Sequence, residues 1–334
     1  MNIKFPLKNK KVDFSNLLGF AILLIMVFLP LFIKSPYWLD IFITVLMYAF
    51  LGTAWNIVGG YCGQISFGHS AYFGLGAYIS TILFIKFAIS PWMGMIIAAI
   101  VVGLIAIIFG YPSLRLTGHY FVFFTIGFTE VTRIIFLNWK WAGAAMGIII
   151  PYTPSFGNLI FFSKVPYYYI ALLLTVLGVL FTYLIERSKL GKYFIAIRED
   201  QSMAEAIGIN TAVYKTYAFA ISAAMAAIGG VFYAQYVLYI HPDTTMTIIM
   251  ATYFVLIPLV GGAGTIFGPV VGAAILIPLQ EYARATFGGR IEGLSIVIIG
   301  LIIIIMTTTA PTGVMGLLKR MGYKDEVVKE IKDG

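Results

Sequence analysis

The sequence contains few charged residues and a single cysteine. Only 11% of its 334 residues are charged, whereas 60% are hydrophobic. A soluble domain is about a quarter charged, so this balance excludes an ordinary soluble protein and indicates a chain that crosses a membrane several times. Cys62 has no second cysteine with which to form an internal disulfide.

Motifs that carry covalent chemistry are also missing. No Gly-x-x-x-x-Gly-Lys-Ser/Thr phosphate loop occurs, so the chain does not supply an ATPase site by that route. His69, His119 and His241 are far apart and lack the spacing of metal ligands. We therefore predict no catalytic residue, no metal and no cofactor bound by this chain. The net charge of +8 is explained by topology and anionic lipid rather than by nucleic acid.

Apolar runs recur along the chain with about the 20 residues that cross a hydrocarbon core. They predict an all-α polytopic membrane protein with about ten helices (roughly 8–11). The predicted spans are 17–33, 38–58, 67–86, 91–111, 119–138, 166–185, 214–238, 246–262, 268–286 and 291–310. Glycine clusters at 59–76 and 258–272 leave a broken or re-entrant segment open at those places.

Basic residues favour a cytoplasmic N-terminus. Of the 22 lysines and arginines, fifteen then fall in cytoplasmic segments and six outside, and Arg133 lies within a span. Residues 1–16 and 319–334 become cytoplasmic segments on either side of one transmembrane domain, 17–318. The loop 186–213 is then cytoplasmic, and the loop 139–165, rich in Trp, Gly and Pro, is external and ordered at the membrane interface.

Two glycine motifs resemble each other. Residues 58–68 carry Val-Gly-Gly followed by Phe-Gly, and residues 260–268 carry the same pieces at a spacing that differs by two. The predicted topology places both on the cytoplasmic side, whereas an inverted repeat would place them on opposite sides. The motifs are therefore weak support for an internal duplication.

The loop 186–213 is the long, polar, charge-mixed segment between two apolar spans. Gly191 is predicted to break the helix that precedes it. The residues that follow form a turn with Phe194 and Ile197 on one side.

A short helix over about 202–207 is predicted further along this loop. Ser202 and Glu205 fit a capping box, with the serine capping and the glutamate reaching back. Gly208 stands where such a helix ends. An apolar group within a charged rim suits a helix-in-groove contact, and the alternative is a solvated loop. The exposed groups are Met203, Ala206 and Ile207, and the rim is Arg198, Glu199, Asp200 and Glu205.

Several stretches of the chain resemble the branched-chain amino acid ABC transporter permeases, the M-type subunits of the Liv system. The matching stretches are RSKLGK (187–192), AIRED (196–200), AEAIGIN (204–210), GQISFGHSAYFGLGAY (63–78), LRLTGHYF (114–121) and LVGGAGTIFGPVVG (259–272). They occur in the family's order and extend the resemblance from about residue 40 to 320. The external stretch 141–148 departs from the Thr-Gly-Gly pattern of the family.

The resemblance implies a permease subunit, not an enzyme, of an importer for branched-chain or related hydrophobic amino acids. Its implied partners are a homologous second permease subunit, two cytoplasmic ABC ATPases that use ATP, an extracytoplasmic amino-acid-binding protein, and membrane lipid. The implied location is the prokaryotic plasma (inner) membrane, with several spans and both termini cytoplasmic. Urea and short amides are alternative substrates. The rival functions are a stand-alone secondary transporter or channel and an intramembrane enzyme.

The resemblance also assigns an ATPase-coupling role to the loop 186–213. The candidate coupling residues are Arg187, Gly191, Arg198, Glu199, Asp200, Ser202, Met203, Glu205, Ala206, Ile207 and Gly208.

Polar residues beside the glycine clusters are candidates for the translocation path. Loosened backbone at membrane depth is tolerated where it lines a cavity, and a half-helix N-terminus can bind a carboxylate. The alternative is that the glycines serve packing and the polar groups bond to nearby backbone. The polar candidates are Gln64, Ser66, His69 and Ser70, and Gly261 and Gly262 of the second cluster are candidates with them.

Glu130 and Arg133 lie three residues apart in the span 119–138, so they share a helix face. Intramembrane charges usually face the bundle or a cavity. They form either a self-satisfied structural pair, with Arg133 reaching outward, or part of the translocation path.

Overall fold

The fold was analysed in a computed structural model, which describes residues 25–33, 35–113, 118–287, 297, 300, 301, 304, 308 and 312–317. Residues 17–24 of the predicted span 17–33 and most of the predicted span 291–310 lie outside the described residues, as do the segments 1–16 and 319–334.

Helices account for most of the described chain. The helices are α1 (25–32), α2 (Pro36–Asn56), α3 (His69–Phe87), α4 (Pro91–Ser113), α5 (His119–Asn138), α6 (Lys164–Arg187), α7 (Lys189–Glu199), α8 (Gln201–Ala206), α9 (Thr211–Val237), α10 (Pro242–Thr245), α11 (Ile248–Gly261) and α12 (Gly268–Phe287). A π turn (Ile57–Tyr61) extends α2, and 3-10 turns lie at Lys140–Ala142 and Ala144–Met146. The strands β1 (Ile148–Ile149) and β2 (Tyr239–Ile240) pair antiparallel.

Seven segments within the described residues are long and apolar enough to cross a membrane: Pro36–Tyr61, His69–Phe87, Pro91–Tyr111, His119–Asn138, Lys164–Arg187, Thr211–Val237 and Pro242–Gly261. They coincide with the predicted spans from 38–58 to 246–262. The predicted span 268–286 coincides with α12, which carries Glu281 and Arg284 in its last turns. The all-α, polytopic class is confirmed.

The glycine clusters do interrupt the helices, but over shorter stretches than the sequence allowed. Helix α2 ends in its π turn, residues 62–68 are non-helical, and α3 then runs without a break. The second interruption is 262–267, between α11 and α12. Gly63 and Gly264 have φ values of +72°, a conformation that glycine adopts without the steric cost paid by other residues.

Close packing of α3 on α9 depends on small residues. A side chain at Gly76 would overlap the backbone of Ala227, and one at Gly230 would overlap the carbonyl of Phe73. Small residues at such contacts let helix backbones approach within a membrane. Among the seven spans, Pro36–Tyr61 is the most buried, with 83% of its most apolar stretch inside the bundle. Helix α2 therefore forms the centre of the bundle.

The loop between α5 and α6 is attached to one end of the bundle. Lys86 Nζ donates to the Trp141 carbonyl at 3.0 Å, and Trp92 Nε1 donates to the Phe156 carbonyl at 2.8 Å. The β1–β2 pair ties the same loop to the segment after α9. These contacts explain how the loop 139–165 is held in an ordered conformation, as the sequence predicted. Helices α7 and α8 lie at the opposite end, with both glycine clusters.

Candidate functional site

The loop 186–213 folds into two short helices, α7 and α8, rather than a turn and one helix. Helix α6 ends because Ser188 takes an extended conformation, with ψ of 170°. The Ser188 hydroxyl then accepts a hydrogen bond from the Gly191 amide at 3.3 Å and caps α7. The prediction that Gly191 breaks the helix is wrong. Gly191 lies inside α7, where a side chain would overlap the Ile185 carbonyl.

One face of α7 is buried against the bundle. Phe194 and Ile197 lie on that face and are almost fully buried, as the sequence predicted for a shared side. Burying an aromatic and an aliphatic side chain stabilises this contact by about 1.5–3 kcal/mol each. Helix α7 is therefore held firmly on the bundle, and α8 follows it after one residue.

Helix α8 begins one residue earlier than predicted because Asp200, not Ser202, is its N-cap. Asp200 Oδ1 accepts from the Met203 amide at 3.0 Å and from the Ser202 hydroxyl at 2.6 Å. These hydrogen bonds from Ser202 and Met203 lower the pKa of the Asp200 carboxyl. Asp and Ser cap helices about equally well, and with Asp200 as cap the third helical position is Met203, so no capping box forms.

Glu205 therefore does not reach back to the start of the helix. Its Oε1 accepts from the Thr211 hydroxyl at 2.5 Å and from Gln201 Nε2 at 3.0 Å. The bond from Thr211 and then the bond from Gln201 lower the pKa of the Glu205 carboxyl. Glu205 thus fastens α8 to the start of α9 instead of to its own N-terminus.

Apolar side chains are exposed on α8 and at its end, beside the exposed Ser202 and Glu205. Met203 is 69% exposed and Ile207 is 74% exposed, and Ala206 is exposed beside them. These three residues, the apolar patch of α8, match the predicted set. Gly208 ends the helix with φ of +88°, as predicted. A shallow pocket of about 380 Å³ adjoins the patch, lined by Glu205, Gly208, Ile209, Asn210, Thr211 and Ala212.

The other predicted coupling residues differ in their surroundings. Arg187 stacks on Tyr183, with its guanidinium carbon 4.3 Å from the ring centroid. Glu199 is exposed. Arg198 does not simply contribute to an exposed rim, because it turns toward the bundle and its Nη1 donates to the Gly60 carbonyl at 3.0 Å.

The two glycine motifs meet at this end of the bundle. Gly264 N donates to Asn56 Oδ1 at 2.8 Å, and Asn56 Nδ2 donates to the Thr265 carbonyl at 2.9 Å. A side chain at Gly60 would overlap both Asn56 and the Gly264 amide. We call Asn56, Gly60, Gly63, Gly264 and Thr265 the glycine junction. Its existence confirms that the two motifs lie on the same side.

Packing requires glycine at position 261, and backbone conformation requires it at position 262. A side chain at Gly261 would overlap the Gly268 carbonyl across the α11–α12 turn. Gly262 has φ of +128°, which other residues rarely adopt. Both glycines thus allow the tight turn beside the glycine junction.

The polar residues ahead of α3 bond mainly to neighbouring backbone. Ser66 Oγ accepts from the Gly68 amide at 3.1 Å, and the Ser66 carbonyl accepts from Trp55 Nε1 at 2.7 Å. Gln64 Nε2 donates to the Cys62 carbonyl at 3.3 Å. These bonds fix the non-helical stretch 62–68 between α2 and α3.

His69 forms a buried polar link across three helices. Ser222 Oγ donates to the Ala54 carbonyl at 2.5 Å, and since a hydroxyl has one proton, His69 Nε2 must donate to Ser222 Oγ at 2.6 Å. His69 Nδ1 and the neighbouring Ser70 Oγ are buried without a hydrogen-bond partner. The link joins α2, α3 and α9 close to the stretch 62–68.

Glu130 and Arg133 lie away from this region, at the end that carries the loop 139–165. Arg133 pairs with Glu130 and also with Asp243 of α10. His241 Nε2 lies 3.1 Å from the Ala145 carbonyl of that loop. The predicted self-satisfied pair is thus present, with Arg133 reaching toward α10.

The predicted path residues therefore separate into two groups at opposite ends of the bundle. Asn56, Ser222 and Asp243 complete these groups and were missed in the sequence. Asn56 does carry a signal, since it is a polar residue between an apolar run and a glycine pair. Asp243 lies 110 residues from Arg133, and no spacing rule connects them.

Comparison with known proteins places these features in context. The family described as branched-chain amino acid transport system / permease component matches residues 37–307. The chain is 28% identical over 323 residues to the high-affinity branched-chain amino acid transport system permease protein LivM of Salmonella typhimurium, which covers 90% of this chain and 74% of that protein. LivM of Escherichia coli is 27% identical with the same coverage.

A second type of relative also matches. The high-affinity branched-chain amino acid transport system permease protein LivH of Escherichia coli is 26% identical over 299 residues, covering 80% of this chain and 91% of that protein. No solved structure matches the chain.

Proposed function

Because the chain belongs to the branched-chain amino acid transport system permease family, we propose that it is a permease subunit of an ATP-driven importer. Its substrates are leucine, isoleucine, valine or related hydrophobic amino acids. The chain makes no covalent change to the substrate and binds no cofactor itself. ATP is bound and hydrolysed by two separate cytoplasmic ABC ATPases.

The remaining partners follow the same proposal. A homologous second permease completes the membrane unit, as relatives of both LivM and LivH type match this chain. An extracytoplasmic binding protein delivers the amino acid at the end that carries the loop 139–165. Both termini are cytoplasmic, and the complex lies in a prokaryotic plasma membrane.

The apolar patch of α8 is the observation that carries the ATPase-docking part of the proposal. Met203 and Ile207 are apolar and exposed at the end of the bundle where the two glycine motifs meet. Short helices with such a patch bind in grooves of partner proteins. The Asp200 cap and the bond from Thr211 to Glu205 hold the helix in place before docking, which lowers the ordering cost of docking.

Transport requires that the ATPases bind differently to two states of the membrane unit. ATP closes the ATPase dimer, α8 moves with it, and the bundle changes the side on which the substrate site is open. The ligand shifts this equilibrium only by its differential affinity for the two states. Gln64, Ser66, His69 and Ser70 are the candidate path residues at the inner end, and Glu130 and Arg133 at the outer end.

Proteoliposomes test the transport proposal. The purified complex, loaded with ATP and given the binding protein and radiolabelled leucine, should accumulate leucine only when ATP can be hydrolysed. Uptake that continues without ATP and follows a proton or sodium gradient would show a secondary transporter instead. A panel of leucine, isoleucine, valine, urea and acetamide identifies the substrate class.

A matched pair of variants tests the docking patch. Met203→Asp, combined with Ile207→Asp, should abolish co-purification of the ATPases while the membrane unit stays monodisperse. Met146→Asp is the control, because Met146 is 86% exposed at the opposite end. If the ATPases co-purify equally with both variants, α8 is not part of the interface.

A further inference from the structure

Arg198 stands between the docking helices and the membrane bundle. It belongs to the last turn of α7, and α8 begins three residues later. Its Nη1 donates to the carbonyl of Gly60 at 3.0 Å. This carbonyl lies in the last turn of the helix that starts as α2, where backbone oxygens lack helical donors and favour a cation.

The guanidinium is held in a fixed orientation. Nη2 and Nε of Arg198 donate to Glu199 Oε1 at 2.6 and 3.2 Å. A planar guanidinium with two donors on one carboxylate oxygen and a third on a carbonyl has little rotational freedom. Although the side chain is 34% exposed, it is tied at both sides, unlike a solvated surface arginine.

The glycines of the glycine junction lie close to the Arg198 side chain, which occupies space that a larger residue would need. A Cβ at Gly63 would lie 2.9 Å from Arg198 Cγ, and one at Gly264 would overlap Arg198 Nη1. Gly63 and Gly264 belong to the two helix interruptions, and Gly60 lies in the π turn just before the first. Asn56 joins the end of α2 to the second interruption, because its Oδ1 accepts from the Gly264 amide. Arg198 therefore lies against the backbone at both interruptions.

Resting on the proposed function, we infer that Arg198 is a positioning residue that transmits movement of the docking helices to the two helix interruptions of the membrane bundle. It neither contacts the ATPase nor lines the substrate path. The Gly60 carbonyl and the Gly264 backbone are the points at which α7 acts on α2 and on the α11–α12 turn.

The test measures leucine taken up per ATP hydrolysed by the complete complex in proteoliposomes. Arg198→Ala should keep the ATPases bound and active but lower this ratio by at least about fivefold, the lower end of typical coupling between sites. Arg198→Lys should give a ratio between those of the wild type and Arg198→Ala. A lysine ammonium can bond to the Gly60 carbonyl, but it cannot also bind Glu199 through the planar fork of a guanidinium. Lys192→Ala, an exposed cation on the same helix, should keep the wild-type ratio.

Each failure has its own signature. A wild-type complex without ATP-driven uptake overturns the proposed function. A coupled wild type together with an unchanged ratio in Arg198→Ala overturns this inference alone. Loss of the ATPases from Arg198→Ala also overturns it, because Arg198 would then be a docking residue. If Arg198→Ala does not assemble, Arg198→Lys decides by the same ratio, and a wild-type value there overturns the inference.

Discussion

Removing the Ser222 hydroxyl should destabilise the bundle by stranding a buried N–H. Ser222→Ala leaves His69 Nε2 without an acceptor in a site where His69 Nδ1 already has no partner. The Ala54 carbonyl keeps its backbone hydrogen bond to Ile57, so it is not stranded. A buried donor left unsatisfied costs about 1–3 kcal/mol. We therefore expect Ser222→Ala to lower the free energy of unfolding by that amount.

Ser80→Ala is the matched control for this prediction. Ser80 is also fully buried in a span, but its hydroxyl has no hydrogen-bond partner. Removing an unpaired hydroxyl recovers its desolvation cost, so Ser80→Ala should be neutral or stabilising. The same chemical change should therefore destabilise the protein at Ser222 but not at Ser80.

The assay is equilibrium unfolding of the purified chain in mixed detergent micelles, followed by tryptophan fluorescence. A double-mutant cycle with His69→Leu isolates the Ser222–His69 bond. Hydrogen bonds between membrane helices give coupling energies of about 0.6 kcal/mol on average and up to about 1.7 kcal/mol. Additivity within about 0.3 kcal/mol, or equal losses in Ser222→Ala and Ser80→Ala, would refute the reasoning.

Three further predictions follow from the two ends of the bundle. Asp243→Asn should lower the free energy of unfolding by about 1 kcal/mol or less, and by less in high salt. The reason is that the paired side chains of Arg133 and Asp243 are 24% and 51% exposed. A larger loss that does not depend on salt, measured by chemical denaturation, would contradict this prediction. Gly208→Ala should destabilise the α8–α9 turn by about 1–2 kcal/mol through the positive φ of this residue alone, because nothing lies within 4 Å of the added methyl. Gly208→Asn should destabilise the turn less. Equal rates of amide hydrogen exchange in the two variants would contradict this prediction. The pKa values of Asp200 and Glu205 are lowered in the folded state. The stabilisation of α8 by these carboxylates is therefore present above their unfolded-state pKa values of about 3.9 and 4.3, and it is lost as pH falls through the lower folded-state pKa values. A spin label on α8 that reports unchanged order well below the folded-state pKa values would contradict this prediction.

The membrane helices were predictable because their signal is local. A run of about 20 apolar residues has few other stable solutions in a membrane, and the spans from 38–58 to 268–286 coincide with helices. The exposed side of α8 and its end at Gly208 were equally local, since both depend on neighbouring residues.

The errors arose where tertiary contacts or competing caps decide the outcome. Asp200 and Ser202 are both good caps two residues apart, and the sequence does not rank them. Gly191 was interpreted as a helix breaker, although its small size serves the contact with Ile185. The bond from Asn56 to Thr265 spans 209 residues, and no pattern in the sequence announces such a partner.

That long-range bond also sets an order for the synthesis of the protein. The amide of Asn56 enters the membrane with α2, but its partners at Gly264 and Thr265 are synthesised some 200 residues later. Polar groups at membrane depth that lack partners are costly, so a nascent chain that stops after α9 carries an unfinished second helix. In such a chain the Asn56 amide lacks both partners until the α11–α12 turn has been made.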